Sequence, residues 1–219
     1  MTKQVDWEKL ASQLRCPSGE NGLKLGLNMA DTNAGMTRNT WKMLPVAPGD
    51  SVLEIGFGNG SHIQEIFEHN PGIKYTGVDI SETMVREALA INEMLQDTGK
   101  LDLVHTDGKT IPFPDATFDK VFTVNTLYFW EHPETYLEEV RRVMKPGAIC
   151  CIAFAAESFM KHLLFVRFGF RLYNPDSAIE LVDKRLFDVI AIQEHQEVVK
   201  SNTGENVDRT FYILRLQAR

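Results

Sequence analysis

The chain has 219 residues, 30 acidic against 23 basic side chains, a net charge of −7 and 43% hydrophobic residues. That is enough apolar mass for one domain with a real core, and the acidic balance argues against a nucleic-acid binder that works by phosphate neutralisation. The opening residues 1–8 lack an apolar signal core and no apolar run approaches the ~20 residues that span a bilayer, so a cytoplasmic protein without membrane contact is expected.

In chain order, residues 5–14 read as a short helix that Arg15-Cys16-Pro17-Ser18-Gly19 breaks, and residues 21–44 mix apolar groups with Asn28, Asn33, Arg38 and Asn39. The turn chemistry of Pro45-Val46-Ala47-Pro48-Gly49-Asp50 marks the entry to the core. Residues 1–48 are therefore an N-terminal helical segment and residues 49–219 the main domain. From there strands and helices alternate, which implies an α/β fold with parallel strands joined by crossover helices. Residues 51–55 form strand one; residues 59–68 form the first helix, with Ile63, Ile66 and Phe67 on one face and Pro71-Gly72 at its end. Residues 73–79 are strand two. Ser81 caps the next helix, Glu82 favours its positive end, and Met84, Ala88, Ile91 and Leu95 recur at helical spacing.

Residues 101–106 and 118–124 are strands three and four. Pro133 suits a first helical turn; Leu137, Val140 and Met144 form that helix's apolar stripe, and Pro146-Gly147 stop it. Residues 148–154 are strand five and contain Cys150 and Cys151, which read as buried free thiols. A helical insertion is expected at 157–186, where the apolar run 163–171 has three readings: core packing, pocket wall or membrane-surface element. Residues 187–197 and 207–216, flanking Ser201-Asn202-Thr203-Gly204, read as an antiparallel hairpin.

The stretch Val52-Leu53-Glu54-Ile55-Gly56-Phe57-Gly58-Asn59-Gly60 organises all of this. A strand that turns sharply into a helix with a ligand pressed on the turn needs residues without Cβ, and Gly56, Gly58 and Gly60 meet that need. Glu54 sits at the carboxyl end of strand one, and strand two ends in Asp79, where an acid holds a ribose diol. With Gly77-Val78-Asp79-Ile80-Ser81, Asp107-Gly108, Ile111-Pro112-Phe113-Pro114-Asp115 and Arg141-Arg142-Val143-Met144-Lys145-Pro146-Gly147 following in order, residues 50–155 resemble the class I S-adenosylmethionine (AdoMet) dependent methyltransferases of small-molecule type.

The resemblance implies a Rossmann-like sheet of seven strands, mostly parallel with a C-terminal antiparallel hairpin and helices on both faces. It also implies an N-terminal lid and transfer of a methyl group from AdoMet to a small, partly apolar acceptor by in-line displacement, releasing S-adenosylhomocysteine. Gly56, Gly58 and Gly60 would approach the methionine part of AdoMet, with Glu54 supporting the loop or the ammonium group. Asp79 would accept the ribose hydroxyls, Ile80 and Met84 would lie by the adenine, Asp107 and the Gly108 backbone would meet its edge, and Asn125 the amino-acid end. Asp79 also reads as a helix-capping acid, Met84 as core, and Asp107-Gly108 as a simple turn. Tyr128 and His132 are the candidates for a general base if one is needed, although His132 beside Pro133 also reads as a helix-start residue. No metal is expected, because the six histidines show no paired ligand spacing. A nucleic-acid acceptor is disfavoured because Asn125-Thr126-Leu127-Tyr128 lacks the proline pair of base methyltransferases. Two alternatives stand beside this reading: a non-catalytic AdoMet binder, and an NAD-dependent oxidoreductase, whose fingerprint wants glycine or alanine where Ser61 stands.

Overall fold

The computed structural model describes residues 5–200 and 206–219; the turn expected at Ser201-Asn202-Thr203-Gly204 lies outside them. β1 (Ser51–Ile55) is central and pairs in parallel with β2 (Lys74–Asp79) on one side and β4 (Phe118–Val124) on the other. β3 (Leu101–His105), β5 (Met144–Ala155), β6 (Phe187–Lys200) and β7 (Asn206–Ala218) complete a seven-stranded sheet of order β3-β2-β1-β4-β5-β7-β6. β7 runs antiparallel to both β5 and β6. That inserted, reversed strand separates the sheet from the 3-2-1-4-5-6 order of dinucleotide-binding folds, which the oxidoreductase alternative requires.

The chain steps outward through α3 (Ile63–His69), α4 (Glu82–Ile91) and the single turn α5 (Glu93–Gln96), then returns to β4 on the other side of β1 and continues through α6 (Pro133–Val143). Right-handed crossovers in opposite directions put their helices on opposite faces. Strand neighbours accordingly feed two cores: Val52 and Phe122 pack with Ile63 and Phe67, whereas Leu53 and Val121 pack with Leu137 and Val140.

The N-terminal segment is α1 (Trp7–Arg15) followed by the 25-residue α2 (Gly19–Met43). α2 crosses the first face against α4, β4, β5 and the hairpin, with Met36 fully buried. Gly26 permits the close approach: a Cβ there would stand 2.8 Å from the Met84 sulfur.

Several boundaries differ from the sequence reading. Residues 59–62 are in turns and α3 begins at Ile63. Met144 is not the end of a helical stripe but the first residue of β5, so Pro146-Gly147 do not stop the helix. α6 ends at Val143 because its last carbonyls are taken by the approach to β4, Ala116 N–H donating to Arg142 O (2.9 Å) and Thr117 N–H to Val143 O (2.8 Å). The helical insertion expected at 157–186 is two short helices, α7 (Glu157–Met160) and α8 (Pro175–Glu180), separated by turns. Gly169 turns with φ 86° and Pro175 starts α8, while Met160 and Tyr173 are buried on the second face and Phe165 is buried against Phe170, so packing rather than helix formation orders the run. Cys150 and Cys151 are free and buried, and burial pushes both thiols up, Cys151 to about 12. No described helix is long and apolar enough to cross a membrane.

Candidate active site

The sheet changes direction between β1 and β4, and the crevice outside the carboxyl ends of strands flanking such a point is where open α/β folds bind ligands. β1 ends there in the glycine turn. Gly56 N–H donates to Val78 O (2.7 Å), tying the turn to β2. At Gly56 φ is 78°, and a Cβ would lie 2.3 Å from Thr126 Cγ2, so this position demands glycine both for its conformation and for the space.

Asp79 closes β2 and is 7% exposed. Its Oδ2 accepts from Gly58 N–H (2.9 Å) and its Oδ1 from Ser81 N–H (2.8 Å), so one carboxylate grips the glycine turn and the start of α4 together. The capping reading thus holds for Ser81, whose Oγ accepts from Met84 N–H (3.1 Å). Burial raises the Asp79 pKa from 3.8 to about 6, although the two backbone donors work to lower it.

Glu54 is buried at the end of β1 and is engaged by the protein itself. One of its oxygens, Oε2, meets His62 Nε2 (2.7 Å) and accepts from the Tyr75 hydroxyl. Burial works to lower the His62 pKa, but the charge and hydrogen bond of Glu54 outweigh it and the pKa is raised. Burial, reinforced by the Glu54 charge, pushes the Tyr75 hydroxyl well up, so it stays a donor. Neither His62 nor Tyr75 stands out in the sequence, since one sits in an irregular turn and the other in a strand pattern that looks like ordinary core.

Asn125 follows β4 with φ 58°. Its amide donates to Asn33 Oδ1 (2.9 Å) on α2, and its Oδ1 accepts from the Tyr128 hydroxyl (2.9 Å). Arg209 on β7, only 7% exposed, donates to Thr32 O (2.6 Å) and pairs with Glu197 on β6 (2.6 Å). The helix over the crevice is thereby fastened to the switch point and to the terminal hairpin. Asn33 and Arg209 lie far apart in sequence, and nothing local to either predicts the meeting.

Tyr128 is 3% exposed, its oxygen also accepts from Ala155 N–H, and burial raises its pKa far above the ordinary range. It therefore anchors structure and is a poor proton acceptor. His132 is exposed at the N-cap of α6 and is not among the residues lining the crevice. Asp107 is exposed, and its Oδ1 accepts from Lys109 N–H (2.8 Å) and Thr110 N–H (2.9 Å), the turn alternative, while both Asp107 and Gly108 still line the crevice. Ile80 also lines it and touches Gly108. Met84 is 1% exposed and packs under Gly26 of α2, as the core reading expects, yet it also lines the crevice beside Ile80, so both readings of it stand.

These parts enclose a cavity of about 390 Å³. Its floor is the glycine turn with Asp79, one wall is α2 through Met29, Asn33 and Ala34, and the opposite wall is Phe129 and Trp130. Among the described residues no three His, Cys, Asp or Glu side chains cluster to hold a metal ion.

The comparisons with known proteins agree with this geometry. A family model described as a methyltransferase domain matches residues 53–152. The uncharacterized methyltransferase YdaC of Bacillus subtilis is 30% identical over 127 residues, 58% of this chain and 68% of that protein. Sterol 24-C-methyltransferase ERG6B of Gibberella zeae is 36% identical over 104 residues, 48% of this chain, and the match spans only 27% of the sterol enzyme's length. The solved structure of geranyl diphosphate methyltransferase in complex with GPP and sinefungin aligns over 84% of this chain and 77% of its own with a TM-score of 0.67 at 10% identity, a likeness of fold. With more than two thirds of a bacterial methyltransferase matched at that identity, and the methyltransferase domain matched through its centre, the chain belongs to the class I S-adenosylmethionine-dependent methyltransferases.

Proposed function

We propose that this methyltransferase carries AdoMet in the crevice at the β1/β4 switch point and transfers its methyl group to a small, partly apolar acceptor. The observation that carries the reading is the buried Asp79 carboxylate, fixed by Gly58 and Ser81 at the cavity floor with acceptor capacity left on both oxygens for a pair of ribose hydroxyls. The surroundings fit the cofactor. A Cβ at Gly58 would meet no protein atom within 4 Å, so the turn leaves its backbone open to a ligand. Asn59, 3% exposed beside the cavity, has an amide Nδ2 with no acceptor in the protein, a donor for a polar ligand group.

In this assignment Gly56 and Gly58 hold the amino-acid end by backbone, Ile80 lies against the adenine, and Asp107 and Gly108 meet its edge. Gly60, expected beside them, is not among the cavity's lining residues but packs on Ala88 of α4 and accepts from Asn92 Nδ2 (3.0 Å), so it shapes the turn instead of meeting the ligand. Glu54 braces the turn with one oxygen, Oε2, held by His62 and Tyr75, and as a lining residue keeps its other oxygen for the ammonium group. Asn125 spends its side chain on Asn33 and Tyr128 and its backbone N–H on Ala153 O (2.9 Å), which leaves its backbone carbonyl for the ligand. When bound, AdoMet supplies an electrophilic methyl group on a sulfonium leaving group, which an acceptor lone pair displaces in line to leave S-adenosylhomocysteine. Alignment of two reactants and exclusion of water are then the protein's main contributions. α2 and the aromatic wall of Phe129 and Trp130 supply both, and ring faces favour a cation between them. The restricted cavity, its apolar walls and the substrates named for two of the similar proteins, a sterol and geranyl diphosphate, both small and at least partly apolar, support an acceptor of that size and character.

The test is incubation of the protein and isotopically methyl-labelled AdoMet with a cell metabolite extract, read by mass spectrometry. Label is expected in a low-molecular-mass product, with S-adenosylhomocysteine formed in step. Label found only in protein or nucleic acid would overturn the acceptor class, and AdoMet binding without any transfer would overturn the reaction.

A further inference from the structure

A second cavity, of about 430 Å³, adjoins the first and shares four lining residues with it: Arg15, Phe129, Trp130 and Glu131. Its own additions come from the run 163–171, namely Phe170, Gly169 and Arg171, with Tyr128 beneath. The aromatic part is built, since the Phe129 and Phe170 rings meet edge to face with centroids 4.6 Å apart and Trp130 packs on Tyr136 at 4.8 Å. Both arginines are held in place by their backbones. Arg171 N–H donates to Tyr128 O (3.1 Å), and the corner after Arg15 is pinned by Ser81 Oγ on Pro17 O and by the Cys16 thiol on Ile80 O (3.5 Å).

The charges around this space do not cancel. Glu131 is matched by Lys109 at 3.6 Å. Arg15 and Arg171 enter no ion pair among the described residues, and the Tyr173 hydroxyl beside Arg171, its pKa raised by burial, stays neutral and cancels no charge. In a chain with a net charge of −7, two arginines outside any ion pair line one open depression beside the methyl-transfer crevice, together with Phe129, Trp130 and Phe170, and form a local reversal of sign. A guanidinium recognises carboxylate and phosphate by a planar fork of donors, and an aromatic wall takes a flat apolar body.

We infer that the acceptor is an anion, a flat apolar body bearing a carboxylate or phosphate, seated in the second cavity with its charge on Arg15 and Arg171 and its methylatable end on the Phe129 and Trp130 side. The inference rests on the methyl-transfer reading above and specifies it. It also accounts for the run 163–171, whose Phe170 and Arg171 become the pocket wall.

The test is isothermal titration with S-adenosylhomocysteine held at saturation, its own Kd measured for each protein. The probes are 4-hydroxycinnamate, its neutral amide, and phenyl phosphate. The carboxylate, the phosphate or both are expected to bind at least tenfold more tightly than the amide, the stronger of the two naming the anion. Arg15→Gln/Arg171→Gln is expected to bring the anions to within threefold of the amide. Because both side chains are exposed, the variant should fold, which circular dichroism and a cooperative thermal unfolding transition verify; should it not, Arg171→Gln alone, expected to lose at least threefold of the anion preference, takes its place. Equal affinity for anion and amide, no binding of either anion at millimolar concentration, or a preference that survives the substitutions overturns the inference and leaves methyl transfer standing. Failure of S-adenosylhomocysteine itself to bind overturns the transfer reading and this inference with it.

Discussion

Replacing Asp79 by asparagine separates the structural role of this carboxylate from its proposed role in binding. In the fold it accepts from Gly58 and Ser81, and burial raises its pKa from 3.8 to about 6. For an acid whose folded pKa lies above its unfolded one, ionising in the fold is costly. The cost is absent below about pH 4, grows between about pH 4 and 6, and is complete above, where it amounts to about 3 kcal/mol of lost stability. Asp79→Asn carries no charge to bury and so escapes that cost. Its amide oxygen replaces only one of the two acceptors, losing about 1.5–3 kcal/mol. The two effects nearly offset, and the unfolding free energy at neutral pH is expected to stay within about 2 kcal/mol of wild type.

Ligand affinity is expected to behave differently. An amide cannot accept both ribose hydroxyls as a carboxylate does, and one charge-assisted bond is worth about 1.5–3 kcal/mol, so Kd for AdoMet rises roughly tenfold to a hundredfold. Only the ionised carboxylate accepts both protons, so wild-type affinity weakens about tenfold per pH unit below about pH 6, and the variant's does not. Titration calorimetry between about pH 5 and pH 8, with urea unfolding alongside, measures both quantities. A wild-type Kd that stays flat across that range, or a variant that binds AdoMet as well as wild type, refutes the ribose assignment.

Three further outcomes follow from the geometry. Gly56→Ala places a Cβ 2.3 Å from Thr126 Cγ2 at a φ of 78°, so it is expected to cost at least about 1–2 kcal/mol by denaturant unfolding; adding Thr126→Ser, which removes that methyl, should recover part of the loss, and no recovery would show that backbone conformation alone sets it. Arg209→Met leaves Glu197 without its buried partner and frees Thr32 O on α2, with an expected cost of about 3–5 kcal/mol; Arg209→Met/Glu197→Met should cost less than the single change, and a double variant worse than the single one would count against the ion pair. The Glu54–His62 pair raises the His62 pKa, so its stabilisation is complete below about pH 6.5 and fades as pH rises through the raised folded value; the stability gap between wild type and His62→Ala should therefore shrink between about pH 6 and pH 9, and a constant gap would contradict an ionic role.

Much of the fold is legible in the sequence because its signals are local. The apolar run 51–55, the glycines after it, the acid that ends β2, Ser81 before α4 and Pro133 at the start of α6 each act over a few residues, and each stands where its chemistry placed it. Sequence and structure part where a distant partner decides. The apolar stripe of α6 runs on to Met144, but Ala116 and Thr117 take the helix's last carbonyls and release Met144 to β5. The run 157–186 is helical by composition, yet burial of Met160, Phe165 and Tyr173 holds it in turns. α2 reads weakly because four glycines lie within Gly19–Met43, and it owes its length to packing across the sheet.

By itself the sequence determined the order of strands and helices, the glycine turn and the acid beside it, since periodicity, turn chemistry and the conformational needs of glycine operate between near neighbours in the chain. Only the tertiary structure decided that one oxygen of Glu54 is occupied by His62 and Tyr75, that Tyr128 is an anchor, that Asn33 and Arg209 fasten the helix over the crevice, and that Arg15 and Arg171 line one cavity. Those roles depend on which side chains meet after the chain has closed on itself, and burial and pairing, not residue type, then set whether a group donates, accepts or carries charge.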